Sequence, residues 1–396
     1  MRQPLGVLDG RALTRFILLA IVIRLVRDTG VRMMYPFLPQ YAAGLGITLV
    51  AAGALLTLRT ILLVLAPVFG DRADRSGPRW FLFAGYVLLG IGMAVFSLAS
   101  GLAVAIAAMV IIGLSDTLIT PLMQAYVSEH APTYRRGQVL AMVEYSWALT
   151  GIVMLPLVGL LIASNGWQAP FRFISVAALL AAVLFVVAMP ADAPRLQAPR
   201  RSLWAQTGAI VRDRSALGTL LVNGTLFIAA ESFFVIWGAH LQRNFSLGPA
   251  QVGQVAAVIG IAELGGSVVA SLTVDRVGKR RSVLASVTLF ILVLAFMPVL
   301  NRALVTLVLG LALVSFCIEY GIVCTIPLLG QQRPESRATM LALGVMVAAV
   351  TRGVTDSAAT WLFDNIGFYA NVVYAMAALV VTFWLLWRWV HERAET

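Results

Sequence analysis

Ionisable side chains inside long apolar segments are the residues of this sequence most able to do chemistry. Arg24, Asp28 and Arg32 follow one another at four-residue intervals and therefore share one face of a helix. Arg352 and Asp356 repeat this spacing near the other end of the chain, as a pair predicted to be locally neutral. A charged side chain at a bilayer centre costs roughly 2.5–3.5 kcal/mol on insertion scales, so such residues are functional or paired. They predict either a polar pathway or salt bridges between helices.

The elements that must position these groups are membrane-spanning helices. The chain has 396 residues, of which 60% are hydrophobic and only 12% are charged, with a mean hydropathy of +0.90. Its apolar stretches of about 20 residues are each long enough to cross a hydrocarbon core of roughly 30 Å as a helix. Helices are required because lipid offers no partners for open strand edges. The pattern predicts an all-α integral membrane protein with spans near residues 16–38, 48–70, 80–99, 102–127, 138–163, 170–190, 217–240, 250–274, 282–300, 303–329, 337–362 and 367–390.

The intramembrane charges are confined to particular spans. Spans 1, 4, 7 and 10 carry them, as do spans 2, 5, 8 and 11, whereas spans 3, 6, 9 and 12 carry none at depth. For any single residue, a structural salt bridge explains the charge about as well as a substrate or proton role. The candidate pathway comprises Arg24, Arg27, Asp28, Arg32, Arg59, Asp116, Glu144, Glu231, Glu263, Glu319, Arg352 and Asp356.

The formal net charge of +11 is explained by membrane topology. The basic residues cluster in alternate loops, and the opposite loops offer little beyond Arg243 and Arg302. By the positive-inside rule, both termini are predicted to be cytoplasmic, in a multi-pass protein of the plasma membrane, of the bacterial inner-membrane type. A lipid bilayer is therefore the expected partner of this basic chain, and nucleic acid is not expected.

A short loop motif occurs twice at a fixed separation, which indicates an internal repeat. The positions differ by 275 − 74 = 201 residues, and the same offset recurs just before the fifth and eleventh spans. Two matches at one offset predict a duplicated six-span unit, typical of transporters whose two halves rock around a central site. The predicted organisation is a six-helix bundle over residues 1–190, a cytoplasmic linker over 191–216 and a second six-helix bundle over 217–396. The motif residues are Gly70, Asp74, Arg75, Gly77 and Arg79, which recur as Asp275, Arg276, Gly278 and Arg280.

With this motif the chain resembles the major facilitator superfamily over essentially its whole length. The loop signature of that family, Gly-x-x-x-Asp-Arg-x-Gly-Arg-Arg, is matched from Gly70 to Arg79, with Pro78 in one basic position. The resemblance implies the major facilitator fold, with spans 1, 4, 7 and 10 lining a central cavity. It favours a gating latch for the two loops, although a loop that only fixes topology has the same composition.

A second resemblance is to the drug/proton antiporter group of that superfamily. Its first-span pattern is similar to Asp28, Gly30, Pro36 and Pro39. The fifth-span antiporter pattern is met only in part, because Leu155 and Leu160 replace two of its glycines. The fourth-span arginine of the group is absent, since Met109 stands at that position and Asp116 is the ionisable residue deep in the span. The resemblance implies proton-coupled efflux, and this last departure puts the details of its proton relay in question.

Together these observations favour a monomeric secondary transporter that exports small amphipathic molecules in exchange for protons. A buried carboxylate that loses its partner becomes a proton carrier, and Asp28 and Glu231 are the first candidates for that role. A lipid or glycolipid flippase, with the arginines of span 1 clamping an anionic headgroup, and an organic-anion/proton symporter remain open alternatives. His240 is predicted to lie at the membrane interface. No nucleotide loop, metal cluster or nucleophile constellation occurs, which predicts no cofactor, no catalytic or metal site and no enzymatic activity.

Overall fold

The first six spans form one group of helices. The computed structural model describes residues 8, 10–67, 69, 72–73, 77–132, 135–191 and 203–392. Within them, span 1 is Gly10–Arg32 with a short extension Leu38–Leu45, and span 2 is Leu49–Ile61 continued by a 3-10 turn, Leu62–Leu65. Span 3 is Arg79–Ser97, span 4 is Leu102–His130, span 5 joins Arg136–Leu149 and Leu155–Asn165 through the π turn Thr150–Met154, and span 6 is Ala169–Ala188.

The last six spans repeat this order after a helix at Leu203–Arg212, which falls within the predicted linker. Asp213 caps the next helix by accepting hydrogen bonds from the amides of Ser215 and Ala216. Span 7 joins Arg214–Phe234 and Trp237–Phe245, and span 8 is Pro249–Val277. Span 9 is Lys279–Ala295 followed by Met297–Leu300, and span 10 is Leu304–Gln332. Span 11 is Arg337–Asn365 after a 3-10 turn at Pro334–Ser336, and span 12 is Phe368–Arg388.

The expected all-α membrane architecture of about twelve spans is confirmed. Nine helices in the described part of the chain are long and apolar enough to cross a bilayer, or ten when the pair Leu38–Leu45 and Leu49–Leu65, bent by 110°, counts as one span. Two further helices have physical reasons to fall outside that test. Gly10–Arg32 carries several charged side chains, and Lys279–Ala295 has only 17 residues. Both pack within the bundles beside the other spans.

Helix packing follows the internal repeat. Span 3 packs against spans 4 and 6, and span 9 packs in the same way against spans 10 and 12. Span 1 contacts spans 5 and 6, as span 7 contacts spans 11 and 12. Between the two groups, span 2 packs on span 11 and span 5 packs on span 8, which are equivalent contacts under the repeat. Gly46 (φ +66°) and Ser246 (φ +54°) end the corresponding short helices of the two groups in the left-handed region.

The two groups of helices meet at the end of the bundle opposite the chain termini, which we call the far side. There Gln242 of span 7 donates a hydrogen bond to Gln40 at 3.0 Å, and a methyl group added at Gly238 would collide with the carbonyl of Pro36. Spans 5 and 8 cross nearby with Gly253 against Pro156. On the opposite side, which we call the terminus side, the described contacts of spans 8 and 11 turn towards their own group. Gly266 faces span 10, and Gly344 faces Leu329 and Asn223.

The ends of several spans differ from the sequence expectation. Span 1 begins at Gly10 and ends at Arg32, six residues earlier than predicted at each end, because the chain turns at residues 33–37 around Pro36. Span 2 begins after Thr48, whose hydroxyl caps the amide of Ala51. Gly70, Asp74 and Arg75 of the first loop motif lie outside the described residues, as do residues 192–202 of the predicted linker.

Candidate functional site

A cluster of five charged side chains lies between spans 1, 4 and 5, and we call it the N-half cluster. Arg27 donates to Asp116 of span 4 and to Asp28, both at 3.0 Å. Arg24 lies 3.4 Å from Asp28, at the four-residue spacing expected from sequence, and holds both carboxylate oxygens of Glu144 on span 5. With two arginines and three carboxylates, the cluster carries a formal charge of −1 when all five groups are ionised.

Glu144 marks where water reaches the N-half cluster. Its side chain is 44% exposed, whereas that of Asp28 is fully buried. Gln124 of span 4 donates to Glu144 at 3.1 Å, so this carboxylate sits between three helices of the first group. Lipid would not solvate a carboxylate, so its exposed part faces a space between the helices. Deeper in, Ser146 donates to Asp28 at 2.5 Å and completes the partners of the buried acid.

A second ion pair joins the two groups of helices, and we call it the crossing pair. Arg32 of span 1 lies 2.6 Å from a carboxylate oxygen of Glu263 on span 8, and both side chains are almost completely buried. Arg32 also donates to the carbonyl of Trp147 at 2.8 Å and stacks over its indole ring at 4.9 Å. The π turn that follows Trp147 brings Gly151 against Gly260 of span 8. The crossing pair therefore sits beside a close approach of the backbones of spans 5 and 8.

A third group of polar residues connects span 2 with span 11, and we call it the seam network. The Tyr35 hydroxyl accepts hydrogen bonds from Arg59 at 2.9 Å and from Arg352 at 3.2 Å, one from each group of helices. Arg352 also donates to Glu231 of span 7 at 2.9 Å. Thr60 of span 2 donates to Asp356 of span 11 at 3.3 Å. The network thus comprises Tyr35, Arg59, Thr60, Glu231, Arg352 and Asp356.

The expected neutral pair of Arg352 and Asp356 does not form, so that prediction was wrong. Arg352 turns to Glu231 instead, and no cation of the described chain lies within salt-bridge distance of Asp356. Arg59, also buried, has no carboxylate partner there either and uses the Tyr35 hydroxyl and the Val31 carbonyl. Arg352 pairs with Glu231 on another helix, because two side chains four residues apart on one helix can point in different directions with little loss of free energy.

Glu319 of span 10 differs from the other acids of the pathway. Within the described part of the chain, its only hydrogen bond is the one it accepts from Ser267 of span 8 at 2.7 Å, and no cation there pairs with it. Each of five other acids forms a salt bridge with an arginine, namely Asp28, Asp116, Glu144, Glu231 and Glu263. Among the acids of the candidate pathway, only Glu319 and Asp356 therefore have no arginine within salt-bridge distance in the described chain.

Several residues of these networks carry no charge. Thr60 and Ser146 were not singled out from the sequence, because hydroxyl side chains in apolar helices have many structural uses. Tyr35 and Trp147 were predicted to lie near the charges, as helix-packing residues or as an apolar wall for a substrate. His240 was placed at the membrane interface, yet it is buried, stacks on Phe368 at 3.8 Å and contacts Asn301 at 2.7 Å. Packing between spans 7, 9 and 12 accounts for it.

The described loop-motif residues hold the ends of neighbouring spans. Arg79 donates to the carbonyl of Val186 at the end of span 6, and Arg280 donates to Leu386 at 2.9 Å and Trp387 at 3.2 Å at the end of span 12. The two arginines are equivalent under the repeat. Gly77 (φ +88°) and Gly278 (φ +95°) supply the left-handed turns before them, while Asp275 and Arg276 are exposed. Positive side chains at helix C-terminal ends are favourable because the helix dipole is negative there.

The arrangement suits movement of a solute or a proton. No group of three or more His, Cys, Asp or Glu side chains that could hold a metal ion occurs in the described residues. Ion pairs that join the two helix groups, and a partly exposed carboxylate between spans, are features expected of a pathway that changes its access.

Comparison with known proteins agrees with this interpretation. The family model of the Major Facilitator Superfamily matches residues 20–239 and 219–396. A putative niacin/nicotinamide transporter, NiaP of Bacillus subtilis (strain 168), is 23% identical over 220 residues, 54% of each chain. The quinolone resistance protein NorA of Staphylococcus aureus (strain MRSA252) is 25% identical over 166 residues, 40% of this chain and 41% of NorA. The matches thus span about half or less of these relatives. They confirm the expected family and a transporter rather than an enzyme.

Proposed function

The chain belongs to the Major Facilitator Superfamily, and we propose that this transporter exports small amphipathic molecules in exchange for protons. The observation that carries the proposal is the crossing pair. Arg32 and Glu263 join the two helix groups at 2.6 Å beside Glu319, an acid with no cation partner in the described chain. Such a pair must break when the groups separate, and an unpaired acid nearby is ready to take up a proton or a positively charged substrate group.

The transport cycle follows from the far-side contacts. With the far side closed, substrate enters from the terminus side and reaches the exposed carboxylate of Glu144 and the acid Glu319. The partners of Asp28 in the N-half cluster then rearrange, and Asp28 and Glu231, which hold arginines in this closed state, each take up a proton when the arginine contact is lost. Opening of the far side separates span 2 from span 11 and span 5 from span 8, which releases the substrate there.

The direction of export depends on orientation in the membrane. Positive loop residues on the terminus side support cytoplasmic termini in a bacterial inner membrane. The far side is then outside the cell, so that release on the far side is efflux. The name of NorA, a quinolone resistance protein, supports a small organic substrate, and the name of NiaP supports a niacin-like one.

The flippase alternative is weakened by the state of the span 1 arginines. Arg24, Arg27 and Arg32 each hold a carboxylate already, so none is free to clamp an anionic headgroup without losing a partner. An organic-anion symporter meets the same difficulty. The transport assay described next therefore includes organic anions and lipid analogues as substrates.

Proton movement linked to transport tests the proposal. Purified protein in proteoliposomes is challenged with amphipathic compounds, organic anions and fluorescent lipid analogues while the internal pH is followed. We expect proton release on addition of an amphipathic compound, lost in Asp28→Asn and Glu231→Gln and kept in the matched control Asp364→Asn, whose carboxylate lies in a half-exposed pair with Arg243. Lipid translocation without a proton signal, or proton uptake together with an anion, would replace efflux by the corresponding alternative.

A further inference from the structure

Two neighbouring carboxyl groups in the seam network have an unsatisfied oxygen each. Asp356 and Glu231 lie on spans 11 and 7, and both side chains are buried from solvent. One oxygen of Glu231 accepts a hydrogen bond from Arg352 and one of Asp356 accepts from Thr60, while Oε1 of Glu231 and Oδ1 of Asp356 have no hydrogen-bond partner among the described residues. Arg352 holds Glu231, and Asp356 lies one helical turn from Arg352 on the same face of span 11, so the two carboxyl groups belong to one cluster. Two ionised carboxylates cannot share a hydrogen bond, because neither has a hydrogen to donate.

We propose that Glu231 and Asp356 share one proton, and that this proton holds spans 2 and 11 together on the far side. The inference deepens the proposed function and rests on it. A proton between Oε1 and Oδ1 gives both unsatisfied oxygens a partner and removes the repulsion between the two acids. It also leaves Asp356 uncharged, which matches its lack of an arginine in the described chain.

The shared proton acts on the contact between the helix groups through its neighbours. The groups facing the pair are Arg352 on span 11, Arg59 and Thr60 on span 2, and Tyr35 after span 1. Thr60 and Tyr35 both bond across from the first helix group to the second. When the proton leaves, the charge of Asp356 attracts the unpaired Arg59. Arg59 then loses its hydrogen bond to the Tyr35 hydroxyl, and the hydrogen bonds between spans 2 and 11 rearrange.

In this proposal the proton reaches the two acids from the far side and leaves them towards the terminus side. When the far side opens, the separation of Thr60 from Asp356 exposes the pair to water there, and a proton binds. Arg352, whose side chain is 26% exposed, is the solvent-accessible partner of Glu231, and we assign the exit of the proton after closure to its side of the network. The proton leaves in that direction, and no other chemical change accompanies its transfer.

Infrared spectroscopy detects the shared proton directly. Protein carrying Glu319→Gln, which removes the other acid without a cation, is measured in H2O and D2O for the C=O band of a protonated carboxyl group. We expect this band to be present and to be lost in both Glu231→Gln and Asp356→Asn, because the remaining acid then has no second carboxyl group to share the proton and ionises in a network that keeps Arg59 and Arg352. In Asp116→Asn, where the altered acid is already paired with Arg27, the band should stay. Absence of the band, or its survival in either pair variant, overturns the shared proton.

A second measurement requires no substitution in the pair, so it remains valid if those variants fail to fold. Spin labels at Ala43→Cys and Asn244→Cys, exposed on the far side, report the distance between helix groups in a Cys317→Ser/Cys324→Ser background. As the pH is raised, loss of the infrared band should coincide with a longer label distance. A band that titrates while the distance stays fixed overturns the link to the seam. Neither readout involves transport, so absent proton movement in proteoliposomes with both signals intact would reject the proposed function alone.

Discussion

At the scale of single residues, the ion pairs differ in what they contribute. Arg32 and Glu263 are desolvated, and each is the other's only charged partner among the described residues. Arg243 and Asp364, on the far side, are 49% and 29% exposed. Losing one member of a buried pair leaves an uncompensated charge, whereas an exposed pair is largely solvated by water. The two pairs thus allow a matched comparison.

We predict that Arg32→Met lowers the free energy of unfolding by about 3–5 kcal/mol, because Glu263 is left buried alone. Adding Glu263→Leu should recover most of this loss, since the charge is removed as well. Asp364→Asn, the exposed control, should cost at most about 1 kcal/mol. Denaturant unfolding in detergent measures all three. Equal losses for Arg32→Met and the double variant would contradict the buried pair.

Glu319 should behave in the opposite way. We predict that Glu319→Gln leaves the thermal midpoint unchanged or higher, because the amide keeps the Ser267 hydrogen bond and removes a charge without a cation. Glu263→Gln, which breaks the crossing pair, should lower the midpoint. A thermal melt in detergent compares the two glutamines directly, and a similar fall in both would show that Glu319 has a counter-charge after all.

Residue types were predicted from the sequence better than their partners were. Asp28 pairs with Arg24 at the expected four-residue spacing, but the same spacing failed for Arg352. The difference lies in Glu231, which reaches Arg352 from a helix 121 residues away in sequence. Hydropathy places a charge at a depth in the membrane, but only packing decides which helix faces it.

At the scale of helices, the crossing of spans 5 and 8 depends on small residues. A side chain at Gly253 would meet the carbonyl of Leu155 and Pro156, and one at Gly260 would meet Gly151. Close backbone approach of this kind is typical of helix contacts in membranes. By contrast, a methyl group at Gly248 would find its nearest neighbour, Gln251, at 3.8 Å.

We predict that Gly253→Val forces spans 5 and 8 apart and opens the far side. The distance between labels at Ala43→Cys and Asn244→Cys should lengthen, because the crossing cannot close over the added side chain. Gly248→Ala serves as the control and should keep the original distance. An unchanged distance in Gly253→Val would mean that the crossing does not limit closure.

The two loop arginines should stabilise the ends of spans 6 and 12. We predict that Arg280→Gln increases hydrogen exchange over the last turn of span 12, since Leu386 and Trp387 lose a charged donor worth about 1 kcal/mol. Arg79→Gln should do the same at span 6. Arg281→Gln, a neighbouring exposed arginine without a hydrogen bond in the described structure, should leave exchange unchanged. Equal exchange in all three would remove the capping role.

The elements were predictable where hydropathy is strong and less so where local chemistry intervenes. Span 1 stops at Arg32 because the chain turns around Pro36, although the apolar pattern continues. The π turn at Thr150–Met154 has no hydropathy signal, because it depends on the fit of Gly151 against span 8. The repeat, by contrast, could be recognised in the sequence, because equivalent loop residues contact the ends of neighbouring spans in both halves.

At the scale of the whole molecule, the two helix groups share contacts mainly on the far side. The crossing pair and the seam network lie on the two equivalent contacts, span 5 with span 8 and span 2 with span 11. A change of access must break both together, because each joins the same two bodies. Charge state can therefore control the whole molecule through a few buried groups.

Two label distances measured in lipid nanodiscs test this account most directly. One pair is Ala43→Cys with Asn244→Cys on the far side, and the other is Gln138→Cys with Val277→Cys at the terminus-side ends of spans 5 and 8. On raising the pH in the presence of a transported compound, we expect the far-side distance to lengthen while the terminus-side distance shortens. Distances that stay fixed, or that change in the same direction, would contradict proton-coupled alternating access.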